Sequence, residues 1–160
     1  MKKIVSPSIS VRPSRANDRA RLLYVEDDDE NWHVAELRLS EDFELVRAAN
    51  SQEACRVVKE SAGDLVAILM DIELRGSELN GIELTELFRG KRPAKVLPEY
   101  AKGLPTYTSP IIFVTAHGAR YSDVELMLFG ANRVIPKPVN FQALTLALQS
   151  IQFAAPVRKR

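Results

Sequence analysis

Five side chains in this sequence stand at the ends of short apolar runs and carry groups that could do chemistry together. Glu26 and Asp27 follow LLYV, Asp71 follows LVAILM, Thr115 closes IIFVT ahead of Ala116 and His117, and Lys137 follows RVIP. Carboxylates, a hydroxyl and an ammonium suit a divalent cation and a phosphoryl group. Two carboxylates about 4 Å apart repel by roughly 4 kcal/mol at an effective dielectric near 20, so an acidic cluster calls for a cation among its members. Mg²⁺ answers that need, because it takes a few carboxylate oxygens and keeps positions for water and phosphate oxygens. Asp71 would be the nucleophile toward phosphorus, with the ion neutralising charge on the incoming group. Lys137 would bring a positive charge to one phosphate oxygen, and the Thr115 hydroxyl a hydrogen bond to another. Positioning and charge compensation are most of what phosphoryl transfer requires.

Each residue also has a plainer reading. Glu26 to Glu30 form an unbroken acidic run, and carboxylates are favoured at a helix amino terminus by its dipole. That accounts for Asp28, Asp29 and Glu30, but not for the first two, which directly follow a buried strand. Asp71 alone could be an ordinary strand-end residue, and Lys137 and Thr115 singly could be solvated. Their joint placement favours function. His117 stands without a His or Cys beside it and reads as incidental to metal chemistry.

Convergence of these groups requires a particular framework. Strand-like runs at Arg21 to Val25, Phe43 to Ala48, Leu65 to Met70, Ile111 to Thr115 and Arg133 to Pro136 alternate with helical stretches at Asn31 to Leu39, Ser51 to Ser61, Gly81 to Arg89, Tyr121 to Gly130 and Asn140 to Gln152. The alternation predicts an α/β fold, a doubly wound five-stranded parallel sheet with five helices on its two faces. In such a sheet ligands bind outside the carboxyl ends of the strands, where the five residues fall. Pro136 fits a strand at the sheet edge. Trp32 reads as a partly buried helix residue near the acidic pair and a usable fluorescence reporter, and Cys55 as a small core side chain. On the last helix, Phe141, Leu144, Leu146, Leu148, Ile151 and Phe153 make a stripe wider than one core face; tight terminal packing and a partner surface both remain open.

Length and composition set the limits. The chain has 160 residues, 46% of them hydrophobic, which suits one domain. Twenty-two Lys and Arg against twenty-one Asp and Glu leave a net charge of +1, so neither a nucleic-acid surface nor a membrane surface is expected. One cysteine allows no internal disulfide, and no apolar run nears the roughly 20 residues of a membrane span. A cytoplasmic protein is expected. Residues 1–19 read as a flexible arm, 20–153 as the domain, and 154–160, ending VRKR, as a solvated basic tail too small for nucleic acid. Residues 90–109, GKRPAKVLPEYAKGLPTYTS, show no period and read as a long connection between the third helix and the fourth strand.

Taken in order, LLYVEDD, AILMDIEL with NGIEL, IIFVTAH and VIPKP resemble the receiver domain of bacterial two-component response regulators over about residues 20 to 153. The resemblance implies a flavodoxin-like sheet of order 2-1-3-4-5 and an aspartyl-phosphate switch. Phosphoryl groups would come from the phosphohistidine of a sensor histidine kinase or of a histidine phosphotransfer protein. By position, Asp71 matches the phosphoacceptor, and Glu26 with Asp27 the pair that holds Mg²⁺. Glu73 would lend the metal its backbone carbonyl, Thr115 would be the switch hydroxyl and Lys137 the phosphate-binding lysine. The Lys137-Pro138 bond would be cis, and Glu73 and His117 would tune the lifetime of the phosphate. Such a receiver promotes its own phosphorylation and dephosphorylation without being an enzyme in the conventional sense.

The sequence also departs from the family pattern. Val134 stands where an aromatic residue usually moves with the switch hydroxyl. Arg75 stands where proline is common, in a loop IELRGSELNG that is slightly long, and the 90–109 connection is longer than usual. With few residues after the domain, the expectation is a stand-alone receiver with output through a partner protein or a homodimer, by way of the fourth helix, fifth strand and fifth helix. The competing expectation is a pseudo-receiver, a constitutive interaction module without the chemistry.

Overall fold

The computed structural model describes residues 19–92, 96–116 and 120–154, so most of the expected amino-terminal arm, the carboxyl-terminal tail and His117 lie outside the described residues. Strands β1 (Ala20–Val25), β2 (Phe43–Ala48), β3 (Leu65–Met70), β4 (Ile111–Thr115) and β5 (Arg133–Pro136) alternate with helices α1 (Asp29–Leu39), α2 (Ser51–Ser61), α3 (Gly81–Phe88), α4 (Asp123–Leu128) and α5 (Phe141–Ala154). All strand pairs are parallel, and the order across the sheet is β2-β1-β3-β4-β5. The chain leaves β1 toward one edge and returns at β3 toward the other, which opens a crevice at their carboxyl ends. β5, with Pro136, is an edge strand as expected.

Side chains alternate across the pleat, and the two faces have separate cores. Leu22 and Tyr24 of β1, Ala67 and Leu69 of β3, and Ile112 and Val114 of β4 pack against Ala35 and Leu39 of α1 and Leu144 and Leu148 of α5. Leu23, Val25, Ile68, Met70, Ile111 and Phe113 face α2, α3 and α4. Being covered on both sides explains why the central strands read as continuous apolar runs.

The helix ends differ from the expectation where side chains cap them. α1 begins at Asp29 because the Asp28 carboxylate accepts the Asn31 N–H, and α4 is confined to Asp123–Leu128 between a Ser122–Glu125 capping box and Phe129. The described residues of the connection after α3 are packed against the body of the domain. They form a 3-10 turn at Glu99–Ala101, bury Ala101 and Tyr107, and join Tyr107 N–H to the Phe88 carbonyl at 2.8 Å. Tyr100 pins them to α2 through Ser51 Oγ at 2.8 Å and through its own carbonyl, which accepts from Lys59 Nζ at 2.6 Å. Arg89 donates to the carbonyls of Tyr107 and Ser109. Contacts of this kind, between residues far apart along the chain, carry no sequence period.

Candidate functional site

The sheet ladder continues one residue past β1, β3 and β5 and thereby fixes the site. Glu26 N–H donates to the Ala48 carbonyl at 3.0 Å, Asp71 N–H to Val25 at 3.0 Å, and Lys137 N–H to Thr115 at 2.9 Å. Backbone pairing therefore sets the origin of the acidic and basic side chains alike. Gly81, at the start of α3, donates to the Ile72 carbonyl at 2.9 Å, and a Cβ there would meet the Asp71 carbonyl oxygen at 2.0 Å. Only glycine permits that approach. The Asn80–Glu83 capping box secures the same helix end.

From these origins the charged groups converge on a cleft of about 150 Å³ lined by Glu26, Asp27, Asp28, Asn31, Asp71, Glu73, Arg75, Ala116 and Lys137. One carboxylate oxygen from each of Glu26, Asp27 and Asp71 lies within 4.8 Å of the others, an arrangement that could hold a metal ion. Lys137 Nζ reaches Glu26 Oε2 at 2.7 Å and Asp71 Oδ2 at 2.9 Å. Glu26 is fully buried and its other contacts are made: Tyr24 Oη donates to Oε2 at 3.0 Å and Asp28 N–H to Oε1 at 3.0 Å. A buried carboxylate without such partners would be costly.

Burial pushes the Asp71 carboxyl above its ordinary range, against the hydrogen bond and charge of Lys137 that pull it down. Burial opposes the charge on Lys137, but its bonds to Glu26 and Asp71 prevail and raise it above an ordinary lysine. Lys137 stays protonated. Tyr24 is likewise pushed well up, by burial first and then by the Glu26 carboxylate, so its hydroxyl remains a donor.

The fold brings Glu26, Asp27, Asp71, Glu73 and Lys137 to one cleft, with Thr115 buried at the neighbouring end of β4. Glu73 pairs with Arg120 at 3.6 Å. The Lys137-Pro138 peptide is cis. Val134 is half-buried, opposite Phe113 in the β4–β5 register. Trp32 is partly buried, its ring 6.4 Å from that of Tyr24, and Cys55 is fully buried.

Sequence reasoning missed three contributors. Tyr24 shares a strand face with Glu26, a relation that the two-residue period could have disclosed. Arg47 of β2 donates to the carbonyls of Glu26 and Asp27, each at 3.1 Å, pairs with Asp29 at 2.7 Å and lies 5.7 Å over the Trp32 ring. Arg75 stands out in the sequence only by taking the place where proline is common. Its backbone N–H and Nε both donate to Asp27 Oδ2 at 3.1 Å, and Nη2 donates to Asp28 Oδ2 at 3.1 Å.

Known proteins give the arrangement its context. The family model described as response regulator receiver domain matches residues 22–149. An NtrX-like response regulator of Rickettsia bellii is 27% identical over 129 residues, 80% of this chain and 24% of the relative. The chain thus spans about a quarter of the length of the curated relatives it matches. Among solved structures, the receiver domain of a sensor histidine kinase from Pseudomonas aeruginosa PAO1, with a magnesium ion coordinated in its active-site cleft, is 26% identical with a TM-score of 0.64, covering 84% of this chain and 98% of that one. The receiver domain of NtrX from Brucella abortus shares the fold at 21% identity and a TM-score of 0.66, over 84% and 99% of the two chains.

Proposed function

From the premise that this chain belongs to the response regulator receiver domain family, a family of phosphorylation-dependent switches in two-component signalling, we propose that Asp71 accepts a phosphoryl group in a Mg²⁺-dependent reaction. The observation that carries the proposal is the meeting of Asp71 with Lys137 at 2.9 Å inside a ring of Glu26 and Asp27 carboxylates. The donor is the phosphohistidine of a sensor histidine kinase or histidine phosphotransfer protein.

An Asp71 carboxylate oxygen forms the new bond to phosphorus as the phosphorus–nitrogen bond of the donor breaks. The electron pair leaves with the imidazole, which takes up a proton. Lys137 turns its ammonium from Asp71 to a phosphoryl oxygen and keeps Glu26 as its anchor. Glu26, Asp27 and Asp71 are hard oxygen donors that would hold Mg²⁺, and by the family pattern the Glu73 carbonyl would join them. The ion, when bound, offsets the negative charge that phosphorus brings to an acidic cleft. Thr115, at the end of β4, supplies the hydroxyl that follows the new phosphate.

Phosphate adds nearly two negative charges and three acceptors. Converting a two-state element from mostly off to mostly on takes about 5.5 kcal/mol of preferential stabilisation. The element that responds is the flank of α4, β5 and α5, where Val124, Met127, Leu128 and Leu146 are exposed. It serves an output protein or a second copy of the chain. The chain acts in the cytoplasm, and it promotes its own phosphorylation and dephosphorylation rather than turning over a separate substrate. Among the described residues no helix is long and apolar enough to cross a membrane.

Incubation with Mg²⁺ and acetyl phosphate, followed by intact-mass measurement, tests the proposal. The expected result is one added phosphoryl group, absent from Asp71→Asn. No gain in mass, together with no response to beryllofluoride, would leave the pseudo-receiver, an interaction module without phosphorylation.

A further inference from the structure

Among the described residues two cations line the cleft, and they serve different carboxylates. Lys137 is bonded to Glu26 and Asp71, while Arg75 is bonded to Asp27 and Asp28. Asp27 is thereby satisfied by a guanidinium at the oxygen Oδ2, which accepts from both the Arg75 backbone N–H and Nε. A divalent cation held by Glu26, Asp27 and Asp71 would lie about 2.1 Å from its carboxylate oxygens. The Nε that now bonds Asp27 is only 3.1 Å from Oδ2. Ion and guanidinium would face each other across one carboxylate, and like charges that close repel.

We infer that Arg75 is a displaceable counter-ion of the metal pocket: it holds Asp27 while the pocket is empty, gives up Asp27 Oδ2 when Mg²⁺ enters, and so sets the Mg²⁺ concentration at which the pocket fills. This rests on the proposed metal-dependent reading of the site. Three features suit Arg75 to the part. Its side chain is 78% exposed, against 15% for Lys137, so it can move without unpacking a core. It precedes Gly76, at φ 70°, in the loop between β3 and α3. It also has somewhere to stay. Asp28 Oδ2 already accepts Nη2, while Asp28 Oδ1 separately caps α1 by accepting from Asn31 N–H at 2.9 Å. The guanidinium can therefore leave Asp27 and remain tethered at the mouth of the cleft. Arg75 is a positioning residue that acts through Asp27.

Calorimetric Mg²⁺ titration of the metal-free chain tests this, using the parent, Arg75→Ala, Arg75→Lys and Asp27→Asn. Arg75→Ala should tighten the Mg²⁺ Kd about tenfold, a gain that shrinks in high salt because the guanidinium is exposed. Arg75→Lys should stay within about threefold of the parent, since it keeps the charge. Asp27→Asn should weaken binding. Urea midpoints give a second readout: Arg75→Ala should fall below the parent by more without metal than in saturating Mg²⁺, where the parent keeps only its tether to Asp28. An unchanged or weaker Kd in Arg75→Ala overturns the inference. Binding by Arg75→Ala alone, with none by the parent, supports it in its strongest form. Tighter Mg²⁺ binding without phosphoryl uptake in either chain would overturn the proposed function and leave the inference standing, whereas no binding by any variant overturns both.

Discussion

The cleft at the carboxyl ends of β1 and β3 and the flank formed by α4, β5 and α5 share one sheet but are built in opposite ways. In the cleft, buried charges are held by partners fixed through the sheet ladder, and Glu26 is wholly enclosed. On the flank, apolar side chains stand in the open: Leu146 is 61% exposed while Leu144, two residues earlier on the same helix, is 1% exposed. On the proposed reading, the first region gives up stability to place reactive groups, and the second offers apolar surface to an output protein or a second copy of the chain. A switch needs both, since a rigid site must receive the phosphoryl group and a loosely committed surface must register it.

Five substitutions, in four tests, would break or sharpen that contrast. Lys137→Met strips the buried Glu26 and Asp71 of their cation and should destabilise the metal-free chain by about 3–5 kcal/mol in urea unfolding at neutral pH. A loss below about 1 kcal/mol would mean the cleft is wetter and less committed than described. Next come two truncations on α5. Leu144→Ala should cost about 2–5 kcal/mol and Leu146→Ala within about 0.5 kcal/mol, and equal losses would erase the distinction between core and surface stripe. Gly81→Ala should cost about 1–3 kcal/mol and reduce phosphoryl uptake, because its Cβ must displace the backbone of Asp71. A stable variant with full uptake would show that the close approach is unimportant.

The fourth test turns on a sign. The Asp71 carboxyl is raised above its ordinary value, chiefly by burial, so the folded chain binds its proton more tightly than the unfolded chain does. Stability from this group is full below its unfolded pKa and is lost as pH rises through the folded one. Asp71→Asn should accordingly be more stable than the parent at neutral pH, with the advantage fading in acid as the parent carboxyl protonates. Urea midpoints at the two pH values check this, and a less stable Asp71→Asn at neutral pH would contradict it.

Much of this was legible in the sequence. The bounds expected for β2, β3, β4 and β5 coincide with those observed, and β1 begins one residue earlier, at Ala20. Doubly covered strands announce themselves as apolar runs, and the reactive residues follow them directly. The observed bounds depart from the sequence pattern where a side chain bonds backbone, either locally at a helix cap or far along the chain. Asp28 and Ser122 set helix starts, and Tyr100, Tyr107 and Arg89 fasten a connection that has no period of its own. The pairing of Arg75 with Asp27 joins residues 48 apart and depends on the β1–β3 neighbourhood, which a single strand pattern does not encode. The exposed stripe on α5 stayed ambiguous for a related reason. Helical period identifies the apolar positions, but only the packed sheet decides that Leu148 is covered and Leu146 is not.

The central claim is that Asp71 is the phosphoacceptor of a cleft organised by Lys137 and the Glu26–Asp27 pair. Peptide mapping after treatment with phosphoramidate, with and without Mg²⁺, addresses it most directly. The account predicts a single hydroxylamine-labile phosphoryl group, on the peptide that contains Asp71, formed only with Mg²⁺ and lost in Asp71→Asn. A label on another residue, or one formed equally well without a divalent ion, would contradict it.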